Sequence, residues 1–391
     1  PPPAATLRNR LPALPPDQQH TTVLDLVRTT AAEILGYTGQ DGVPDDRPFV
    51  ELGLDSLTAV EVRNSLNLAT GLRLPAMLLF DHPTPARVAD FVLSALAGSG
   101  GGQQAPDEAT GAADSNERLA VIYRKVSLLG RLKEVEGLLN GAACLRQTTS
   151  SPQELVRGRE LVRLAQGPEQ PELICFPPFA PVEQSLQFAR FATSLRGQRN
   201  VSVAPVPGFL DGELLAADVD VLVAGLADMI TRCADGAPFA LLGYSSSGWV
   251  AQAVAMHMES RGLQPSGVVL LDTYLPDTMT LEVRKAMTYE VNERRKRFTS
   301  MNFASLTALG AYRSMFRDWT AEPVAAPTLF VRPADCIPGS PEEPVTGDNW
   351  RAIWPFEHAE AEVPGDHCTM VADYADVTAE TIHTWLAKHA R

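Results

Sequence analysis

The sequence is short of basic residues and of long apolar runs. It has 33 Lys and Arg against 47 Asp and Glu, and the formal net charge of -14 would repel nucleic acid and other polyanions. No apolar run approaches the ~18 residues that a membrane-spanning helix requires, and the first residues lack the apolar core of a signal peptide. We therefore expect a cytoplasmic protein that binds neither nucleic acid nor a membrane.

Cysteine is also scarce and widely spaced. The five cysteines are Cys144, Cys175, Cys233, Cys336 and Cys368. None belongs to a CxxC pair and the sequence contains no HExxH motif, so we predict no metal site. An odd number of isolated cysteines fits a reducing cytosol best.

Composition separates two folded parts and two linkers within the 391 residues. With 45% hydrophobic and 20% charged residues, the chain is typical of globular proteins, and its length predicts two or three domains. Residues 1–19 are rich in proline and polar residues, which indicates an extended linker. Residues 98–116 contain no large apolar residue, so we expect a flexible linker there.

Residues 20–97 show the three- and four-residue apolar spacing of helices. Three segments carry this spacing: Leu24, Val27, Ala31 and Ile34; Ala59, Val62 and Leu66; and Val88, Phe91, Val92 and Ala95. Thr84 can cap the last segment, with Pro85 in its first turn. We predict a small all-α four-helix bundle for this part of the chain.

The larger part, residues 117–391, begins with helical spacing and continues with strands. Its first apolar stripe consists of Leu119, Ile122, Val126 and Leu129, and Leu132, Val135 and Leu139 continue it. This spacing predicts a helical hairpin over 117–145. Strand-like runs such as "LICF", "FALLG" and "GVVLLD" then alternate with longer helical segments, which is typical of a mostly parallel sheet.

The segment 276–322 is too long for a plain loop and is interpreted as a helical lid. Four consecutive basic residues, 294–297, lie within it. They are either a solvated helix face or a docking patch for an acidic partner.

The segment "FALLGYSSSGWVAQAVAMHM" runs from a buried strand through a tight turn into a helix rich in small residues. It matches a nucleophile elbow, in which a sharp turn lifts one hydroxyl above the sheet. Gly243 and Ser247 flank Ser245 two positions away on either side, where only small residues leave room, whereas Tyr244 stands two positions before Ser246. The sequence therefore predicts Ser245 as the nucleophile; the alternative is a serine-rich turn before a helix.

A serine of ordinary pKa needs a base, and His367 lies between the possible strand "AEAEV" and the last helix. Histidine occupies this place in α/β hydrolases, and we predict that fold. Two acids compete to orient His367: Asp272 ends the strand "GVVLLD", and Asp335 follows the strand "TLFVR". Spacing alone does not choose between them.

An oxyanion formed at Ser245 would need two N–H donors. The amide of Ser246, directly after the nucleophile, is one. The loop "FPPFAP" should supply the other, and since Pro177 and Pro178 have no N–H, Phe179 is the predicted donor. A rigid proline-rich turn without this role is the alternative.

The segment "ELGLDSLTAVEVRNSL" resembles the attachment motif of acyl carrier proteins, in which GxDSL matches residues 53–57. The following "LRLPAMLLFDHPTPARVADFV" is similar to the carrier domains of modular type I polyketide synthases. This resemblance implies that residues 20–97 are a carrier domain and that a phosphopantetheinyl transferase attaches 4'-phosphopantetheine to Ser56. From the residues alone, Ser56 opens a helix, where it could also be a plain N-cap.

Residues 117–391 resemble the C-terminal thioesterase of the same synthases, with the motif "GDH" retained at 365–367. The resemblance implies that Asp272 is the triad acid and that residues 117–145 form a homodimer interface. It also implies transfer of a polyketide chain, built by upstream synthase domains, from the carrier arm to Ser245 and release by hydrolysis or macrolactonisation. The sequence departs from the family pattern at Tyr244, where His is common, and at Ser247.

Two other functions stay open on the sequence. One is a non-catalytic carrier and docking scaffold, which the missing elbow glycine favours. The other is an editing hydrolase that clears stalled acyl carriers, although a carrier tethered to the same chain favours action in cis.

Overall fold

The computed structural model describes residues 11, 15–35, 37, 42–52, 54, 56–72, 74–75, 78–98, 119, 122–123, 125–126, 131–180, 184–276, 278–294, 302–339, 345 and 350–389. The described residues up to 98 belong to one compact unit, the N-terminal unit. Those from 119 onwards belong to a second, the C-terminal unit.

The N-terminal unit is helical. Its helices are α1 (Pro16–Leu35), α2 (Ser56–Thr70), α3 (Leu78–Asp81) and α4 (Pro85–Gly98), with a 3-10 turn at Phe49–Leu52. The residues at the predicted helical spacing form its core, and Val27, Val62, Leu66, Val88 and Val92 are fully buried. Thr84 caps α4, since its hydroxyl accepts a hydrogen bond from the Arg87 amide at 3.4 Å. Helical periodicity is therefore confirmed in this unit.

The C-terminal unit is built on a seven-stranded sheet. The nine strands of the unit are β1 (Thr148–Thr149), β2 (Val162–Ala165), β3 (Glu169–Phe176), β4 (Arg199–Val203), β5 (Leu215–Ala216), β6 (Phe239–Tyr244), β7 (Gly267–Leu271), β8 (Thr328–Pro333) and β9 (Ala359–Val363). The order in the large sheet is β2-β4-β3-β6-β7-β8-β9, while β1 and β5 form a separate pair. Among the strands that the structure describes in this sheet, β2 runs antiparallel to β4 and all the other neighbouring pairs are parallel. The mostly parallel sheet of an α/β hydrolase is confirmed.

Helices cover both faces of this sheet, as a parallel sheet requires. They are α5 (Leu132–Ala143), α6 (Pro152–Leu155), α7 (Ala189–Ser194), α8 (Val219–Ala234), α9 (Ser247–Ser260), α10 (Leu281–Arg294), α11 (Phe303–Met315) and α12 (Ala375–His389). Every residue of β7 is buried, and so are Ala251, Ala253 and Ala255 of α9. Small side chains on α9 let it pack closely on the central strands.

The predicted helical hairpin is described in part. Its second helix is α5, where Val135 and Leu139 are buried as expected. In its first part the described positions are helical, but Ile122 is 45% exposed whereas Tyr123 is 6% exposed. Tyr123 thus faces the core of this chain, and Ile122 of the predicted stripe does not. The connection at 127–130 lies outside the described residues, and so do both predicted linkers for most of their length.

The predicted lid segment contains two helices of different character. Most of the side chains described in α10, those of residues 281–290, are half-buried, whereas the residues from Ala304 to Tyr312 in α11 are all buried. Asn302 begins α11 with a reciprocal capping box, in which its side chain and that of Ser305 each accept a main-chain N–H. The second helix of the segment is thus packed into the core. Within the described ranges, no helix combines the length and apolarity that crossing a bilayer would take.

Arg146 joins the hairpin to α11 and to the loop before β5. Its guanidinium donates to the carbonyl of Ala304 at 3.0 Å and to the Thr307 hydroxyl at 2.8 Å. It also donates to the carbonyls of Gly208 at 3.0 Å and Glu213 at 2.8 Å. The planar guanidinium thus donates to four acceptors at once. The single ammonium group of lysine does not reproduce this geometry.

We expect Arg146→Lys to lower the free energy of unfolding of the C-terminal unit by about 2–4 kcal/mol, because part-buried acceptors lose their donors. Urea denaturation followed by tryptophan fluorescence measures this unit, since all five tryptophans lie between 249 and 385. The control is Arg131→Lys, because Arg131 is exposed and its ion pair with Glu134, at 3.0 Å, is at the surface. Equal midpoints for the two variants would contradict the prediction.

Candidate active site

The carboxyl edge of the sheet gathers the sequence-predicted site residues. In the parallel ladder Tyr244 of β6 pairs with Leu271 of β7, so the next residues, Ser245 and Asp272, leave the sheet side by side. The loop after β3 contains Phe179, and the loop after β9 contains His367. Parallel strands end at a common edge, which brings residues from four separate segments to one place.

Ser245 stands on a sharp turn between β6 and α9. Its backbone φ of 57° is left-handed, a conformation that serine rarely adopts. Its amide donates to the Leu271 carbonyl at 2.9 Å, and its own carbonyl accepts from the Gly248 amide at 3.1 Å. The side chain is half-buried and lines a cavity of about 410 Å³ together with His367. The predicted elbow turn is present and Ser245 is its raised residue.

Glycine is required at two positions around this turn. A Cβ on Gly243 would lie 2.4 Å from the Ser247 carbonyl oxygen, and one on Gly248 would lie 2.1 Å from the Thr273 hydroxyl. Real contacts of this kind do not occur at such distances. The end of β6 therefore packs against the start of α9, and the start of α9 against Thr273, with no room for a side chain at either glycine.

Ser247, the residue that replaces the usual second glycine, fits this crowded turn. Its side chain is fully buried. The hydroxyl accepts from the Tyr244 amide at 2.9 Å and donates to the Phe176 carbonyl at 2.5 Å. It thus links the end of β3 to the end of β6, and the substitution adds a connection at the elbow.

His367 and Asp272 form a buried pair. The His367 Nδ1 and Asp272 Oδ2 atoms are 2.7 Å apart, and the two residues are 6% and 2% exposed. Asp272 has a left-handed φ of 37°, and its amide donates to the Val331 carbonyl of β8 at 2.8 Å. With Nδ1 directed at the carboxylate, Nε2 is the ring nitrogen left for proton exchange.

Of the two competing acids, Asp272 is the one hydrogen-bonded to His367. Asp335 is exposed, and its amide donates to the Gly365 carbonyl at 2.9 Å. Asp366 stabilises the loop that carries His367. Its carboxylate accepts hydrogen bonds from the amides of Cys368 and Thr369 at 2.8 and 2.9 Å.

Tyr244, where the family usually has histidine, holds His367 from two directions. Its hydroxyl donates to the His367 carbonyl at 2.6 Å. Its ring stacks on the imidazole, with ring centres 5.0 Å apart and planes 29° apart. Sequence reasoning identified this departure but gave no role to the side chain, because its partner lies 123 positions away.

The two residues expected to supply the oxyanion donors lie in contact. The Phe179 amide donates to the Ser246 hydroxyl at 3.0 Å. The Phe179 ring is 1% exposed and lies 5.5 Å from the ring of Tyr312 and 5.7 Å from that of Phe316, which fixes the loop after β3. The sequence indicated the amides, but nothing in it indicated that the Ser246 side chain reaches Phe179.

The cavity wall comes from the elbow, the loop after β3, α5 and both lid helices. Near Asp272, the pKa of the Tyr274 hydroxyl is raised by burial and by that carboxylate. Burial and the carboxylates of Asp272 and Asp366 likewise raise the pKa of the Cys336 thiol, which favours its protonated form.

Among the described residues, no three His, Cys, Asp or Glu side chains are grouped as a metal site. Of the basic residues 294–297, Arg294 ends α10, and 295–297 lie outside the described residues, so the docking patch stays a prediction.

In the N-terminal unit, Ser56 is the first residue of α2. The first N–H groups of a helix have no partner within it, and the helix dipole favours an anion at that end. This position suits a serine that carries a phosphodiester. Gly53 and Asp55 of the predicted motif lie outside the described residues.

Two protein families match the chain. The thioesterase domain model matches residues 171–386, and the phosphopantetheine attachment site model matches residues 25–92. The spectinabilin polyketide synthase system protein NorC of Streptomyces orinoci is 38% identical over 387 residues, covering 97% of this chain and 16% of that protein. Polyketide synthase GfsE of Streptomyces halstedii is 40% identical over 398 residues, covering 98% of this chain and 10% of that protein.

Erythronolide synthase EryA3 of Saccharopolyspora erythraea is 37% identical over 369 residues, covering 93% of this chain and 11% of that protein. The chain thus spans 10 to 16% of the length of these three relatives. Among solved structures, the Vlm2 thioesterase domain bound with a dodecadepsipeptide is 21% identical with a TM-score of 0.43, covering 59% of this chain and 97% of that chain.

We expect Ser247→Gly to destabilise the C-terminal unit by about 1–3 kcal/mol, because the Tyr244 amide and Phe176 carbonyl lose a buried partner. Ser260→Gly is the matched control at the exposed end of α9, with an expected loss of under about 1 kcal/mol. Urea denaturation of both variants measures the difference. A Ser247→Gly protein as stable as the unmodified one would show that the hydroxyl bridge contributes nothing.

Proposed function

Because this chain belongs to the thioesterase domain family and carries a phosphopantetheine attachment domain ahead of it, we propose that it releases a finished polyketide chain from its carrier. The buried His367–Asp272 pair, in the same cavity wall as a serine on a left-handed turn, is the observation that carries this proposal. The cavity of about 410 Å³ lies within the range of about 300–1,000 Å³ typical of small-molecule sites.

Covalent 4'-phosphopantetheine is the cofactor that the attachment domain implies, and its thiol presents the acyl chain as a thioester. Ser56 is the proposed attachment residue, at the start of α2. A phosphopantetheinyl transferase would modify it. We further propose that upstream synthase domains deliver the chain, and that residues 117–145 form a homodimer interface. Within that range Leu138 and Leu145 are 39% and 80% exposed, which supports an apolar contact.

In the proposed mechanism Ser245 Oγ attacks the thioester carbonyl while His367 Nε2 takes its proton. Asp272 holds the imidazole in the required tautomer and stabilises the imidazolium that forms. The negative oxygen of the tetrahedral intermediate is bound by the amides of Ser246 and Phe179. Collapse of the intermediate breaks the carbon–sulfur bond, and His367 returns its proton to the departing sulfur. The acyl chain is then an ester of Ser245.

The second half-reaction repeats these roles with a new nucleophile. His367 removes a proton from that nucleophile as it attacks the ester carbonyl, and returns it to Ser245 Oγ. Water as the nucleophile gives a linear acid, and a hydroxyl of the chain itself gives a macrolactone.

Ser245→Ala is expected to abolish labelling by an alkyl fluorophosphonate and to slow acyl release on the order of 10⁴-fold or more, because the nucleophile is gone. Intact mass of the protein and mass spectrometry of the released product measure both effects and separate acid from lactone. Ser260→Ala, at the far end of α9, should retain labelling and release. Normal release by Ser245→Ala would refute the nucleophile, and absent labelling of the unmodified protein would favour a scaffold.

Asp272→Asn is expected to lower kcat on the order of 10³- to 10⁴-fold, because the imidazole loses the carboxylate that fixes its tautomer. Asp335→Asn is the matched control, since Asp335 is exposed and contacts the histidine loop through its amide. Steady-state hydrolysis of an acyl-N-acetylcysteamine thioester measures both variants. The reverse ranking of the two variants would assign the acid to Asp335.

A further inference from the structure

We propose that the hydroxyl of Ser246, and not only its amide, binds the oxyanion during acyl transfer. This inference rests on the proposed function, because it concerns the negative oxygen formed when Ser245 attacks. In the structure the single N–H of Phe179 donates to this hydroxyl, so the hydroxyl is the proposed direct donor beside the Ser246 amide, and the Phe179 amide acts through it.

The Ser246 side chain does not cap the helix that it precedes. Ser246 is the N-cap residue of α9, where serine normally accepts a hydrogen bond from an amide in the first helical turn. Its side chain makes no such capping bond, and its backbone is helical, with φ −63° and ψ −22°. The hydroxyl is therefore not required to begin the helix.

The second support is what the hydroxyl contacts instead. It accepts a hydrogen bond at 3.0 Å from the Phe179 amide, the group expected to bind the oxyanion from the opposite loop. Ser246 is half-buried and lines the same cavity as Ser245 and His367. The hydroxyl thus contacts one predicted donor, belongs to the same residue as the other, and lies in the wall of the cavity that Ser245 lines.

This arrangement leaves the proton of the Ser246 hydroxyl available to a ligand in the cavity. A serine hydroxyl has one proton to donate and oxygen lone pairs to accept. The Phe179 amide occupies a lone pair, and the structure gives the proton no acceptor among the described residues. A carbonyl oxygen that becomes negative in the cavity is an acceptor of the kind this proton lacks.

The local environment strengthens such a bond. A hydroxyl that already accepts from an amide is polarised and becomes a better donor. Hydrogen bonds to an ionised oxygen are roughly twice as strong as neutral ones. The Phe179 and Trp249 rings, 6.4 Å apart, are part of the wall of this cavity. Ser246 remains neutral throughout, since it donates a hydrogen bond and transfers no proton.

A competing interpretation makes the opposite prediction. If the hydroxyl merely occupied the place of the oxyanion, substrate would have to displace it from the Phe179 amide. Its removal would then raise kcat instead of lowering it. The sign of the effect of Ser246→Ala therefore decides between the two.

The test compares Ser246→Ala and Ser246→Thr with the unmodified full chain on an acyl-N-acetylcysteamine thioester. We expect Ser246→Ala to lower kcat by about 10- to 100-fold with KM changed less than about 2-fold, since the bond exists only with the oxyanion. The inhibition constant of an alkyl trifluoromethyl ketone, whose serine hemiketal carries an oxyanion, should rise by a similar factor. Ser246→Thr keeps a hydroxyl and should recover most of the loss.

Ser260→Ala, which removes an exposed hydroxyl at the other end of α9, is the control and should match the unmodified protein. An unchanged or higher kcat for Ser246→Ala overturns the proposal. So does a lower kcat with an unchanged inhibition constant, because that result indicates a structural defect. Fluorophosphonate labelling of Ser245 in the unmodified protein is the separate check: its absence would reject the proposed function itself, whatever Ser246 does.

Discussion

The left-handed backbone at Ser245 is the constraint on which the site depends. A φ of 57° strains a serine by about 1–3 kcal/mol, and neighbouring contacts must hold it there. The Leu271 carbonyl binds its amide, and the start of α9 closes on its carbonyl. This one residue ends β6, turns the chain back into a helix, and directs a hydroxyl into the cavity.

Three consecutive serines have three different surroundings because of that turn. Ser245 faces the cavity, the Ser246 hydroxyl meets the Phe179 amide, and the Ser247 hydroxyl joins the ends of β3 and β6. The three side chains are identical, and the direction of the backbone at each residue decides which partner its hydroxyl meets. The residue that departs from the family pattern is also the one that ties the turn to the sheet, so the loss of a glycine is compensated locally.

Local patterns in the sequence predicted much of the fold and part of the site. Helical spacing located α1, α2, α4 and α5, and apolar runs located the central strands, since both patterns are set by one buried face. Two details differ from what local patterns indicate: Tyr123 rather than Ile122 of the hairpin faces the core, and α11 of the predicted lid segment is buried. Both differences arise because packing partners distant in sequence decide which face is covered.

The sequence by itself determined the two-part organisation, the carrier motif and the register of the elbow. These depend on spacing within a few residues, where small side chains and turn geometry leave few solutions. Spacing left Asp272 and Asp335 as alternatives, and the family resemblance implied Asp272. The tertiary structure alone shows the contact between Asp272 and His367 and the stacking of Tyr244 on the same ring. Such pairings follow from which strands are neighbours and how their loops leave the sheet, which no local pattern records.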